Sequence, residues 1–462
     1  MNIRNCFWSF VFGLILISGQ VVVAQETSWI GQTVFYKEGA VAKVGEKEVS
    51  IELIEFPALV KEEKGEWLWV GRAWLRKSDC MLEDEAMAHY NEVLRKNPKS
   101  IDALRRRASC WAVKADQAKA FADLDEAVRL EPKNARSLHE RGKIKVEFAI
   151  ANQIGKVVEK SLGNAADGIV GGLGVINGIL GGAPIPGKEE KKSEEVIDAA
   201  GLTKEDRALL EDGIRDLDAA IVLDPKLANA YIDRSLAKGQ MMDLQGAVKD
   251  LDEALKLDNQ NEAAFSYRAA AKMELDDLPG AILDLDEAIK LDPKSTFNLR
   301  DRGSAKEALK DFAGAVADFE QVLRLDPEDG FAMHDRGQAK VGLKDYAGAL
   351  RDYDEALRMG AATHVVTVSK VFLLATAPEG TVRNPEEALK LAESLLPGDP
   401  PQGDALSAKA CALAATGKFA EAIELEKSAS QDKIWTKDES IVGGAHSEAR
   451  IAAWKAEKQW QP

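Results

Sequence analysis

Paired carboxylates are the residues of this sequence best placed to do chemistry, because they recur. DLDEAVRLEP begins at residue 123, DLDAAIVLDP at 216, DLDEALKLDN at 250, DLDEAIKLDP at 284, DFEQVLRLDP at 318 and DYDEALRMGA at 352. Two acids within reach of each other would suit acid–base work or cation binding. On a helix, residues two apart such as Asp250 and Asp252 lie about 200° apart around the axis, so they do not face each other as a dyad. The phrase also lacks the glycine and closing glutamate of a calcium loop. A solvated outer face is the expected place for these acids. A second series, Arg107, Arg141, Arg234, Arg268, Arg302 and Arg336, could bind an extended anion as a ladder of guanidinium groups. These arginines fall where small or apolar residues face a neighbouring helix, so stem packing and pairing with the repeated acids is the expected role.

Other catalytic chemistry is not encoded. The five histidines, at 89, 139, 334, 364 and 446, have no metal-ligand spacing. Phosphate-loop, nucleophile-elbow and dinucleotide signatures do not occur. The sequence therefore predicts no enzyme, no cofactor and no metal site. Cys6 lies in an apolar leader, and Cys80, Cys110 and Cys411 form no CxxC pair, so buried thiols are expected. A formal net charge of -16 opposes nucleic acid or an anionic membrane surface as principal partner.

The elements that carry the repeated phrase are legible from its period. From 216 onward the copies start 34 residues apart, whereas 123 and 216 are 93 apart, so one copy contains an insertion of 59 residues. Each copy reads as a helix, a turn and a second helix. In one, Tyr231, Arg234 and Ser235 lie on the first helix and Ala247, Leu251 and Ala254 on the second. The next copies place Phe265, Arg268, Ala269, Ala281, Leu285 and Ala288, then Leu299, Arg302, Gly303, Ala315, Phe319 and Val322, then Met333, Arg336, Gly337, Ala349, Tyr353 and Ala356. Small residues let the two helices approach, the large residue fills the groove beside them, and a proline such as Pro293 or Pro327 stops the second helix. Each pair leaves an apolar face that only a neighbouring pair can cover.

On these residues and this period the chain resembles the tetratricopeptide repeat family over residues 83–431, in about eight units. The resemblance implies a mostly α fold, an α-α superhelix, whose concave face is lined by first helices and holds a protein or peptide. Family members that grip a C-terminal carboxylate use Lys, Arg and Asn at set positions of these helices. Here one row reads Ile232, Ser266, Arg300 and His334, and the next Leu236, Ala270, Ser304 and Gln338. That clamp is absent, which leaves Arg300, His334, Ser304 and Gln338 as candidate groove residues and does not indicate a partner ending in acids. Residues 371–378 with 384–397, and 403–429, read as divergent units, and 432–462 as a linker and capping helix.

The insertion, at about 150–203, has an uncharged centre, GIVGGLGVINGILGGAPIPG at 168–187, followed by KEEKKSEE. A loop is expected, because glycine-rich helices are weak in water and Pro184 and Pro186 follow. Gly174, Gly178 and Gly182 leave a self-associating or lipid-contacting hairpin as the alternative, and a membrane span as a third reading.

Residues 1–24 read as a secretory signal, with Arg4 ahead of an apolar run and Val22-Val23-Ala24 before Gln25. Export to the periplasm or medium follows, the alternative being an uncleaved membrane anchor. Residues 28–80 alternate in short β-rich runs, and the WLWV at 67–70 followed by a Gly-containing turn and Trp74 resembles bacterial SH3-like barrels. That resemblance implies peptide or cell-wall binding through aromatics, with Trp67, Trp69 and Trp74 as candidates. Since Trp67 and Trp69 share one face of a small barrel, core packing is the expectation for them. The predicted function is a non-enzymatic scaffold for a protein partner outside the cytoplasm. The alternative is an envelope-attachment protein that holds wall polymer through the barrel or lipid through the insertion.

Overall fold

A computed structural model describes residues 29–37, 40–44, 47–49, 57–70, 73–162, 198, 200–360, 363–378, 380–396, 403–430, 447–456 and 458. The leader at 1–24 and the glycine-rich centre at 168–187 lie outside the described residues. The remainder is mainly helical, with a small β region at its start. Contacts divide the chain into two units, the division falling between Asn259 and Gln260.

The first unit opens with eight short strands: β1 (Thr33–Tyr36), β2 (Ala42–Val44), β3 (Lys47–Val49), β4 (Ala58–Leu59), β5 (Glu62–Lys64), β6 (Trp67–Trp69), β7 (Trp74–Arg76) and β8 (Cys80–Met81). They form two antiparallel sheets, β4-β1-β8 and β3-β2-β7-β6-β5. Val34, Tyr36, Ala42, Ala58, Val60, Leu68, Leu75 and Cys80 share one core between them. Leu68 is fully buried while Trp67 and Trp69 on either side are half-exposed, so the pleat turns the tryptophans away from the core. This corrects the core-packing expectation. The alternation shows that Trp67 and Trp69 share a face; which face is inside depends on the opposite sheet.

The β region is joined to the helices by burial. Phe35 and Met81 pack with Ala86, Met87, Tyr90 and Leu104, and Arg106 donates to the Tyr36 carbonyl at 2.9 Å. Seven helices follow in this unit: α1 (Glu83–Lys96), α2 (Ile101–Val113), α3 (Gln117–Leu130), α4 (Ala135–Leu162), α5 (Lys204–Leu223), α6 (Ala228–Gln240) and α7 (Leu244–Leu257). Helix α4 runs to Leu162, where the sequence expects its end near 149, so the first part of the insertion is helical. At the crossing of α4 and α5, a Cβ on Gly142 would lie 2.8 Å from the Gly213 carbonyl and one on Gly213 3.0 Å from that of Gly142. Two backbones thus touch where only glycine fits.

The second unit comprises α8 (Glu262–Glu274), α9 (Leu278–Leu291), α10 (Thr296–Ala308), α11 (Phe312–Leu325), α12 (Gly330–Gly342), α13 (Tyr346–Arg358), α14 (Thr363–Thr376), α15 (Pro385–Ser394), α16 (Gly403–Ala415), α17 (Phe419–Ala429) and α18 (Ser447–Lys455). Small and large residues match across each pair. Gly303 lies under Phe319 and Gly337 under Tyr353, where a Cβ would come within 2.7 and 2.6 Å of the ring. Where the large residue is Leu285, the small one is Ala269, and both are fully buried.

A turn device also repeats. Met242, Asp276, Lys310 and Lys344 hold φ of 63 to 65°, and the next residue, Asp243, Asp277, Asp311 or Asp345, caps the second helix by accepting from the amide of Gly246, Gly280, Gly314 or Gly348. Each cap is worth about 1 kcal/mol. A Cβ on any of these glycines would meet the capping carboxylate at 2.0–2.2 Å as it now lies, whereas Lys119 takes the same place over Asp116 in α3.

Candidate functional site

The repeated acids are placed by the helix pairing. The first Asp of each phrase is buried, from 3% exposed at Asp318 to 7% at Asp123 and Asp216. Each takes a bidentate ion pair from the arginine on its partner helix. Arg302 reaches Asp318 at 3.0 and 2.6 Å, and Arg107–Asp123, Arg141–Asp216, Arg234–Asp250, Arg268–Asp284 and Arg336–Asp352 repeat the geometry. A lysine four residues after the arginine adds a contact at 2.7 Å, from Lys145, Lys238, Lys272, Lys306 and Lys340. The acid two residues on is exposed and binds the following pair: Asp125 to Arg141, Asp218 to Arg234, Asp286 to Arg302 and Asp354 to Lys370.

The solvated-face expectation is therefore corrected for the first acid of each phrase. The separation that forbids a catalytic dyad points one carboxylate at its own pair and the other at the next. The arginines serve packing and ion pairing, as the sequence predicts. Its hydrogen bond to Asp318 raises the Arg302 pKa against the opposing effect of burial.

With these acids and arginines paired in the framework, the predicted groove residues lie on the first helices. Arg300 is half-buried, stacks on Phe297 at 5.7 Å and has no ion pair among the described residues. Ser304, one turn on, is also half-buried. His334 is only 4% exposed: its Nδ1 lies 3.0 Å from Asp335 Oδ1, and its Nε2 lies 2.9 Å from Ser369 Oγ and 3.0 Å from Gln338 Nε2. In the Nδ1–H tautomer the ring donates to Asp335, and the single Nε2 lone pair is left to accept from Ser369 or Gln338. His334 thus ties α12 to α14, with Gln338 beside it on α12. Ser266, from the same row as Arg300 and His334, likewise donates to Asn298 of the next first helix at 2.6 Å.

Two exposed apolar residues also lie on the first helices. Phe331 and Val365, 34 residues apart at the start of successive first helices, are each 49% exposed, and Phe297 precedes them in the series. Sequence reasoning missed them because a two-row search for a carboxylate clamp looks for charge, whereas the same period applied three residues earlier finds them.

In the β region, Trp69 and Trp74 lie 5.3 Å apart, tilted by 50°, and Trp67 is flanked by Lys43 at 5.0 Å and Arg76 at 5.4 Å. The three thiols, Cys80, Cys110 and Cys411, are free and buried. Burial, reinforced by Asp79, pushes Cys80 up to about 12, and burial with Glu83 does the same for Cys110, so neither is a nucleophile at neutral pH. Among the described residues no three His, Cys, Asp or Glu are grouped to hold a metal ion, and no helix is long and apolar enough to cross a membrane.

Residues 300–363, which hold most of α10 and all of α11–α13 with their ion pairs, match the family model described as Tetratricopeptide repeat. The chain carries tetratricopeptide repeats. No curated protein matches it in sequence. Similar solved structures include a tetratricopeptide repeat protein from Parabacteroides merdae, at 15% identity and TM-score 0.44 over 54% of this chain and 94% of that one. Yeast Tom70 is 18% identical at TM-score 0.39, over 81% and 92% respectively. YrrB, described as a tetratricopeptide repeat protein with an unusual peptide-binding site, is 20% identical at TM-score 0.33, over 36% and 89%. Within the repeats, the ion-paired ladder joins the two helices of a pair and one pair to the next.

Proposed function

We propose that this chain is a non-enzymatic scaffold that holds a protein or peptide segment against the first helices of its tetratricopeptide repeats, outside the cytoplasm. The pair Phe331 and Val365 carries the reading, because two large apolar side chains, each 49% exposed, recur one repeat apart at the start of successive first helices. Arg300, without an ion pair among the described residues, supplies a charge on the preceding first helix. Affinity capture with the full chain is expected to recover a defined protein, and Phe331→Glu with Arg300→Glu to abolish its recovery. Unchanged recovery overturns this face as the binding surface.

A second reading rests on the β region, which we take as SH3-like. Three half-exposed tryptophans beside Lys43 and Arg76 form a stacking surface suited to a cell-wall polymer. Co-sedimentation with purified cell wall is expected to fall when Trp67, Trp69 and Trp74 are changed together to alanine; no change removes this reading.

A further inference from the structure

We infer that the outer face of the sheet β3-β2-β7-β6-β5 holds a carboxylated polysaccharide, with one sugar stacked on Trp69 and Trp74 and its carboxylate taken by Lys43 and Arg76. The inference rests on the second reading above, that this face holds a cell-wall polymer, and names the chemistry of that polymer. Strand register places the residues. Ala42, Leu75 and Leu68, side by side on β2, β7 and β6, are fully buried, so their neighbours along each strand stand on the opposite face. There Lys43, Trp74, Trp69 and Glu62 form one cross-strand row, and Arg76, Trp67 and Lys64 form the next. None of the three tryptophans belongs to the core behind the sheet, and each is half-exposed. Aromatic surface left in water on a sheet face is suited to stacking against a ligand.

The charges around these rings are unlike those of the repeats. Each arginine of the repeated series is bound to a carboxylate, whereas Lys43, Lys64 and Arg76 make no ion pair among the described residues. Lys43 Nζ lies 5.0 Å from the centre of the Trp67 ring and the Arg76 guanidinium 5.4 Å from it. The ring thus gathers two unpaired cations at one place, in a chain of net charge -16. An anion is the group that complements them.

Trp69 and Trp74 stand one row away, ring centres 5.3 Å apart and tilted by 50°, with no cation over either ring among the described residues. That pair is open to a sugar, whose C–H groups settle on the negative face of an indole. Glu62, opposite Trp69, and Glu48, opposite Lys43, stand on the two edge strands of the sheet. Carboxylates there accept from sugar hydroxyls, whereas they would repel an acidic peptide. Stacking surface, acceptors and cations match the ring, the hydroxyls and the carboxylate of an acidic sugar.

The test is fluorescence anisotropy of labelled oligogalacturonate with the full chain, beside the methyl ester of the same oligomer, which keeps the sugar and loses the charge. The free acid is expected to bind about tenfold more tightly than the ester, and about tenfold more weakly to Lys43→Gln with Arg76→Gln. Lys43→Arg with Arg76→Lys, which keeps both charges, is expected to bind like the parent. Trp69→Ala with Trp74→Ala is expected to abolish binding of acid and ester alike. Equal, tryptophan-dependent binding of acid and ester overturns the inference and leaves the wall-polymer reading standing. Competition by polyglutamate as strong as that by unlabelled oligogalacturonate also overturns it, since charge alone would then suffice. Failure of the acid to bind overturns it as well, and if co-sedimentation with cell wall also survives loss of the three tryptophans, both readings fall. The comparison of acid with ester needs no variant, so it decides even where a variant unfolds.

Discussion

Replacing Arg450 with alanine is expected to destabilise the second unit by about 3–5 kcal/mol, the cost of leaving a buried charge without its partner. Arg450 on α18 and Glu426 on α17 are both 0% exposed. The guanidinium contacts Glu426 at 2.8 and 2.9 Å, Ser407 of α16 donates to the other carboxylate oxygen at 2.8 Å, and Phe372 lies under the cation at 5.6 Å. With the arginine removed, the carboxylate stays in the core beside Cys411 and Trp454 with one hydroxyl to serve it. Hydrogen exchange read by mass spectrometry should show protection lost first in α16–α18, with the urea midpoint falling in step. The paired change Arg450→Met with Glu426→Leu removes both charges and should recover stability to within about 1 kcal/mol of the parent. A single variant that unfolds like the parent would show that the ion pair does not hold the terminal helix.

Asp318→Ala is expected to cost about 3 kcal/mol, because it removes the common acceptor of Arg302 and Lys306 and leaves two cations side by side in a half-buried seam. Asp286, which binds the same arginine from the preceding pair at 2.7 Å, has a side chain 49% exposed. Asp286→Ala is therefore expected to cost about 1 kcal/mol or less, since water replaces an exposed carboxylate readily. Urea unfolding of the two variants measures the difference directly. Equal losses would show that burial does not distinguish the two acids of the repeated phrase.

That contrast shows what could be read before any coordinates. Two acids spaced two apart cannot share a face, and the sequence carries that statement in full. Which acid is buried was not legible, because it depends on where the partner helix lies across a turn. The arginine that answers Asp318 sits 16 residues earlier, at Arg302, the same separation that joins Gly303 to Phe319 and Gly337 to Tyr353. Once that separation is known, the repeat accounts for its own ion pairs and its own volume matching.

The predicted binding residues divide along the same line. Arg300, Ser304 and Gln338 are half-buried on the first helices, whereas His334 is drawn into a buried contact with Ser369. A row read by period treats all of its members alike. Ser369 is the residue that separates them, and it lies in a divergent unit where the period is hard to follow.

The period, the helix pairs, the caps and the small-to-large matching belong to the sequence alone, because each depends on residues within one turn or one repeat of each other. The tertiary structure decided which of two alternating faces holds Leu68 and which holds Trp67 and Trp69, which acid of each pair is buried, and that the β region rests on α1 and α2. Those outcomes depend on surfaces brought together from distant stretches of chain, and no local pattern records which neighbour will cover a face.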